Sequence, residues 1–183
     1  MDGNQTVAEE LVRRANALHR QGAYEEAIIV YRQAIGLMPN VPTYTAYNFM
    51  IGDMLEEMRR YEEAVLAYRE TVGAIPHYDE AWSNLGKCLL ELERNDEATQ
   101  AFERCLEIML PRADEVNLEP FYDLEIKDRT SEAWYYVAVA YARLGCAEKA
   151  AAGLKQALQL RPSWKRRAQQ DSLLREYLPD DEV

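Results

Sequence analysis

The sequence is poor in the residues that most chemistry needs. It holds two histidines, His19 and His77, and three cysteines, Cys88, Cys105 and Cys146, in 183 residues. The histidines lie far apart and in no metal-ligand or triad spacing. The cysteines are odd in number and form no Cys-x-x-Cys pair, which argues against a disulfide framework or a zinc knuckle. They read as small buried fillers or as a lone exposed thiol. No glycine-rich phosphate cradle is present, and the carboxylates are spread along the chain so that no pair is marked as acid and base. The expectation is therefore no catalytic residues, no cofactor, no metal, and no independent enzyme.

Long apolar runs are missing as well. Nothing approaches the ~18 apolar residues of a membrane span. The start, MDGNQTVAEELVRR, carries Asp2 and no apolar stretch of the kind a secretory signal needs, so a cytoplasmic location without membrane insertion is expected. Positive charge is also short: 21 Lys and Arg stand against 32 Asp and Glu, a formal net charge of −11. Nucleic acid and anionic membrane are disfavoured, because both are bound by clustered cations that displace counterions. A protein partner with apolar and basic character fits better, although acidity also serves solubility. With 48% hydrophobic and 29% charged residues, the balance is that of a soluble globular protein.

What the chain has in plenty is repetition. AYEEAIIVYRQAIGLMP (23–39), RYEEAVLAYRETVGAIP (60–76) and RNDEATQAFERCLEIML (94–110) share one phrase, and CAEKAAAGLKQALQLRP (146–162) is a looser copy. The small residues Ala27, Ala64, Ala98 and Ala150 mark them at intervals of 37, 34 and 52 residues. A period near 34 suits two helices of about a dozen residues with two short turns. Upstream of the anchors, Trp82, Leu85, Gly86 and Leu89 make an apolar stripe with a small residue in it. Trp134, Val137, Ala138 and Tyr141 match this stripe, as do Asn48, Ile51, Gly52 and Leu55, and less fully Leu11, Arg14, Ala15 and Leu18. Downstream, Tyr31, Tyr68, Phe102 and Leu154 follow their anchors by four, which marks a second amphipathic helix packed on the first.

This pattern of Trp, Leu-Gly, Tyr, Ala, aromatic, Ala and Pro resembles the tetratricopeptide repeat family, most fully in the third repeat. Pro39, Pro76 and Pro162 stand where the family ends its second helix; Pro111 is one place late. Gly22 and Gly145 end the first helices of two repeats, while Arg59 and Glu93 replace that glycine in the others. The resemblance implies an all-α fold, a right-handed α-solenoid with a C-terminal capping helix. The expected organisation is a flexible N-terminus over 1–5 and a single domain over 6–178. Its repeats cover about 8–41, 45–78, 79–112 and 131–164, with an insert at 113–130 and a capping helix at 163–178. An acidic tail at 179–183 follows. Thr6 with Glu9 reads as a capping box that opens the first helix.

In the family, the first helix of each repeat lines a concave groove that holds an extended peptide or helix of a partner. The resemblance implies that the groove carries Glu9, Val12, Arg13, Asn16 and Arg20; Phe49, Met50, Asp53, Glu56 and Glu57; Glu80, Ser83, Asn84, Lys87 and Glu91; and Glu132, Tyr135, Tyr136, Val139 and Arg143. Asn16, Phe49, Met50, Asp53, Asn84, Lys87, Tyr135, Tyr136 and Val139 are the candidate contacts. The charge on these positions is most negative in the second repeat. An exposed aromatic anchor in such a groove contributes about 1.5–3 kcal/mol by area; the competing reading packs these rings against neighbouring elements. The two-carboxylate clamp of the co-chaperone members is absent. Asn16 matches one of its asparagines, but Val12, Met50, Glu80 and Asn84 stand at the other places. Hsp70 and Hsp90 tails are therefore disfavoured.

The long interval holds eighteen extra residues, ADEVNLEPFYDLEIKDRT (113–130). Pro111 and Pro120 argue against one uninterrupted helix, and the alternation of Tyr122, Leu124 and Ile126 with Asp123, Glu125 and Lys127 suits an extended segment with one apolar edge. Phe121, Tyr122, Leu124 and Ile126 are candidate contacts, either as a lid on the groove or toward a partner; a passive insert is the alternative. Taken whole, the sequence reads as a protein-interaction module of adaptor, scaffold or chaperone-like type. A structural subunit that self-assembles as a homo-oligomer or joins a larger complex remains open beside it.

Overall fold

A computed structural model describes residues 3–39, 41–115 and 120–179, the side chains of 111–123 excepted. Four sharp turns set its architecture. Gly22, Arg59, Glu93 and Gly145 take left-handed backbone conformations with φ of 74°, 58°, 58° and 71°. At each, the turn residue donates its N–H to a carbonyl three residues back and the next residue donates to one five back, as in Arg59 to Glu56 (2.8 Å) and Arg60 to Leu55 (2.8 Å). This doubly bonded ending satisfies carbonyls that a helix leaves open. The carbonyl after each turn then accepts from the repeat's alanine: Ala27 on Ala23, Ala64 on Arg60, Ala98 on Arg94 and Ala150 on Cys146, all at 3.0 Å. These four alanines have no exposed surface. A small side chain there lets the second helix fold back onto the first.

The helices follow from the turns. They are α1 (Gly3–Arg20), α2 (Tyr24–Leu37), the short α3 (Pro42–Thr45), α4 (Tyr47–Glu57), α5 (Tyr61–Ala74), α6 (Asp79–Glu91), α7 (Asn95–Glu115), α8 (Pro120–Arg143), α9 (Ala147–Leu160) and α10 (Trp164–Gln170). A 3-10 turn, Arg175–Tyr177, comes last. No strand occurs among the described residues. The chain forms two compact units, Met1–Cys88 and Leu89–Val183, divided within α6. In the first, α1 packs on α2 and α4 on α5; in the second, α7 and α9 pack on α8.

The cores use the residues that the repeat predicts. In the first unit Ala15, Tyr31, Ile51, Leu55 and Tyr68 are buried, and in the second Phe102, Val137, Ala138 and Leu154 are. Close approach is real at Gly52, where a Cβ would lie 2.6 Å from the Tyr68 ring, and at Gly153, where it would lie 3.3 Å from the Ala138 nitrogen. Arg60 follows the second turn and forks onto Glu63 with two contacts of 2.6 Å while reaching Glu25 on α2 at 2.6 Å. Arg94 holds Glu97 in the same way.

Three boundaries differ from the sequence expectation. Helix α1 begins at Gly3, so part of the stretch expected to be flexible is helical and Thr6 lies inside the helix instead of capping it. The expected capping helix stops at Gln170. The Asp171 side chain accepts the N–H of Leu173 at 2.8 Å and opens a turn there; Ala168 and Leu174, both without exposed surface, anchor the segment. The described part of the insert, 113–115 and 120–130, is helical and not extended. Its described residues lengthen the two helices around it, so that α7 has 21 residues where α2, α5 and α9 have 14, and α8 has 24. Pro120 stands first in α8, where its missing N–H costs nothing, and the Thr130 and Ser131 hydroxyls bond back to the carbonyls of Ile126 and Asp128 at 2.7 Å.

Candidate functional site

In the first unit, the first-helix positions carry a polar ladder. Asn16 and Asp53 hold the same place in successive repeats, as do Tyr31 and Tyr68. The Tyr31 hydroxyl donates to Asn16 Oδ1 at 2.5 Å, and the Tyr68 hydroxyl lies 2.7 Å from Asp53 Oδ1 and 3.0 Å from Glu56 Oε2. Asn84 Nδ2 reaches the same Asp53 oxygen at 3.2 Å. Burial raises the Asp53 carboxyl above its ordinary range, the hydrogen bonds from Tyr68 and Asn84 pull it back, and the charges of Glu56 and Glu80 add to the rise. Burial also raises the Tyr68 phenol strongly, followed by the charges of Asp53 and Glu56. That phenol stays protonated and donates.

Asp53, Glu56 and Asn84 of the ladder stand in the wall of an open cleft of about 560 Å3, which is also lined by His19, Phe49, Glu57, Arg59, Tyr61 and Glu80. Four carboxylates against one guanidinium give it a negative surface. Three of the expected contacts, Phe49, Asp53 and Asn84, are thus brought together. Phe49 is 8% exposed, however, and packs on the rings of Tyr68 and Tyr78 with centroids 5.8 and 4.8 Å away. It gives the cleft an apolar edge and is no free anchor. Met50 and Lys87 are half-buried and do not line this cleft.

The second unit holds an aromatic box. Tyr135 and Tyr136 are neighbours on α8. Tyr135 stacks on Trp164 of α10 at 4.5 Å, and Tyr136 stacks on Phe102 of α7 at 5.5 Å with planes 9° apart. The Arg167 guanidinium lies over Tyr135, Tyr136 and Trp164 at 5.0, 5.7 and 5.2 Å, and the Trp164 indole donates to Ser131 Oγ at 3.1 Å. The expectation that Tyr135 and Val139 are exposed anchors is corrected: they are 1% and 7% exposed. For Tyr135 the cause is α10, which lays Trp164 and Arg167 on the ring. Burial pushes the Tyr135 phenol up to about 12, with the Asp171 charge adding and Arg167 opposing. Tyr136 keeps partial exposure. The sequence placed Trp164 in the cap but gave no sign of its meeting Tyr135; Arg167, three residues on, shares its helix face, which is the one available hint.

Of the insert contacts, the Phe121 and Tyr122 side chains lie outside the described residues. Leu124 is 60% exposed and Ile126 half-buried. Two further clefts occupy one repeat position on the opposite helix faces. One, of about 320 Å3, is lined by Ile35, Asn48, Ile51, Leu66 and Ala67 among others; its counterpart, of about 430 Å3, is lined by Leu106, Trp134, Val137, Ala152 and Gly153. Among the described residues no group of three or more His, Cys, Asp or Glu is placed to hold a metal, and no helix is long and apolar enough to cross a membrane.

Hairpins with a common turn, a common alanine and a common stripe define a helical-repeat protein. Models of the tetratricopeptide repeat match residues 49–112 and 8–41, together more than half of the chain. The chain belongs to the tetratricopeptide repeat family. No curated protein matches it. Among solved structures it is similar to residues 41 to the end of MamA from Desulfovibrio magneticus RS-1 (TM-score 0.71, 19% identity, covering 93% of this chain and 82% of that one). It is also similar to BtubC from P. vanneervenii (0.69, 17%, 90% and 67%). A third is the first tetratricopeptide repeat domain of Spaghetti (RPAP3), bound to the HSP90 peptide SRMEEVD (0.52, 21%, 70% and 91%). At these identities the likeness is one of fold.

Proposed function

We propose that this chain is a non-catalytic protein-interaction module, an adaptor or scaffold of the cytoplasm, that takes a basic segment of a partner protein in the cleft of its first unit. The observation that carries this reading is the meeting of Asp53, Glu56, Glu57 and Glu80 around one open cleft with Phe49 at its edge. A Lys or Arg head group satisfies the carboxylates, and its alkyl stem or a neighbouring apolar residue covers the Phe49 edge. Desolvation also favours this pairing, because a cation beside Asp53 offsets the burial that now raises its carboxyl. The Spaghetti domain holds a peptide ending in Glu-Glu-Val-Asp. In this chain such a tail would meet like charge at Glu56 and Glu80, so a different client chemistry is expected.

The test begins with a partner identified by affinity purification and its binding segment synthesised. Glu56→Lys with Glu80→Lys should weaken binding at least about tenfold while circular dichroism stays unchanged. Binding at wild-type strength by the folded double variant contradicts the reading. Self-assembly has one observation in its favour: Ile29 and Leu66, 56% and 60% exposed, occupy the same register on α2 and α5. Light scattering over a concentration series checks it; a mass that stays at one chain removes it.

A further inference from the structure

The box on α8 is already holding a cation. Arg167 reaches it from α10, and its guanidinium lies within 6 Å of three ring centroids, Tyr135, Tyr136 and Trp164, the range in which a ring quadrupole attracts positive charge. Its Nη2 donates to the Tyr136 hydroxyl at 3.4 Å. The rings do not owe their arrangement to Arg167 alone. Tyr136 is held flat on Phe102, and Trp164 is pinned by its hydrogen bond to Ser131. Helix α10 is itself anchored by Ala168, which has no exposed surface. Withdrawing the guanidinium therefore leaves a preformed aromatic surface, built of Tyr136 and, at nearly a right angle to it, the stacked pair of Tyr135 and Trp164. The Asp171 carboxylate beside Tyr135, 3.4 Å from its hydroxyl, adds negative charge.

We propose that this surface is a second binding site, an aromatic cage for the guanidinium or ammonium group of a partner side chain, in which Arg167 stands as an internal occupant that the partner displaces. It extends the reading that this chain takes basic groups of a partner protein, and it sets a threshold. An occupant tethered in the same chain has a high effective concentration, so the apparent affinity for an outside cation is reduced by the fraction of time that the cage is empty.

Two of the three cage rings, Tyr135 and Trp164, are structural in the wild type, so the informative variant is Arg167→Ala, which removes the one cation shared by all three rings, leaves Arg161 over Trp164 alone at 5.9 Å, and keeps Ala168, Trp164 and the helix. The probe is acetyl-Gly-Arg-Gly-amide, with the citrulline tripeptide as its uncharged counterpart, titrated into the full chain while the Trp164 indole N–H resonance is followed. Arg167→Ala is expected to bind the arginine peptide about tenfold more tightly than wild type, to ignore the citrulline peptide, and to lose the gain when Tyr136→Ala is added. Equal affinity in Arg167→Ala and wild type, or equal response to arginine and citrulline, overturns the proposal. Because probe and reporter both lie in the second unit, this result does not depend on whether the cleft of the first unit binds a partner.

Discussion

The two units are built from the same hairpin yet furnish their first-helix faces with opposite chemistry. In the first, a tyrosine hydroxyl on the second helix meets Asn16 or Asp53 on the first helix, and the face is polar and negative. In the second, Phe102 and Leu154 stand where Tyr31 and Tyr68 stood, and Val139 stands where Asn16 and Asp53 stood; with no hydroxyl to satisfy, the face fills with rings. The clefts on the other side change likewise, with Asn48 and Ala67 in the first unit and Trp134 and Gly153 in the second. The hairpin depends on the turns and the small anchors, so these other positions are free to set the chemistry of each face.

The largest expected effect lies in the box. Tyr135→Ala empties a fully buried ring site and should cost about 3–5 kcal/mol, read as a lowered melting temperature. A loss under ~1 kcal/mol would mean that the box is surface decoration. For the same reason Tyr136→Ala, and not Tyr135→Ala, is the variant with which to study binding. In the first unit, Gly52→Ala drives a methyl into the Tyr68 ring and is expected to cost about 1–3 kcal/mol. Repeat one accepts Ala15 beside Tyr31, so a cost near zero would indicate that the ladder shifts freely. The turns serve both units alike. Arg59→Gly and Glu93→Gly should each stabilise by about 0.5–1 kcal/mol in urea unfolding, since the left-handed backbone disfavours a Cβ. Gain in one and not the other would break the equivalence.

The smallest effect concerns Asp53. Its carboxyl is raised in the folded chain, so its contribution to stability is present in full below its ordinary value of 3.8 and is lost as pH rises through the folded value. Asp53→Asn, which copies Asn16, should therefore gain stability at neutral pH, by a small amount because solvent screens the group, and the gain should vanish toward pH 3. A constant difference across pH would assign the effect to packing.

Much of the hairpin was legible because it is written in short-range terms. The alanine anchors and the stripes at Trp82 and Trp134 are spacings within one helix or between helix neighbours, and Gly22 and Gly145 declare their turns. Arg59 and Glu93 read as departures from the glycine rule, yet the two hydrogen bonds at each turn hold them in the same conformation. The insert misled for a physical reason. Alternation over the six residues 122–127 is the pattern of a strand, but these residues continue the first helix of the fourth repeat, and the two prolines do not prevent it, since α8 starts on Pro120 and α7 continues past Pro111. The acidic cleft was half visible, in Asp53, Glu56, Glu57 and Glu80. That Phe49 and Tyr135 are buried was not, because the rings that cover them, Tyr78 and Trp164, come from other elements of the chain.

The contrast between a charged face and an aromatic one is most directly tested by the salt dependence of partner binding. The partner segment is titrated calorimetrically into the full chain from about 50 to about 300 mM salt, where screening shortens from roughly 14 to 6 Å. Affinity should fall with salt in the wild type and in Tyr136→Ala, and the slope should flatten when Asp53→Asn, Glu56→Gln and Glu80→Gln are combined. A wild-type affinity indifferent to salt, or a slope untouched in the triple variant, would contradict recognition through the acidic cleft.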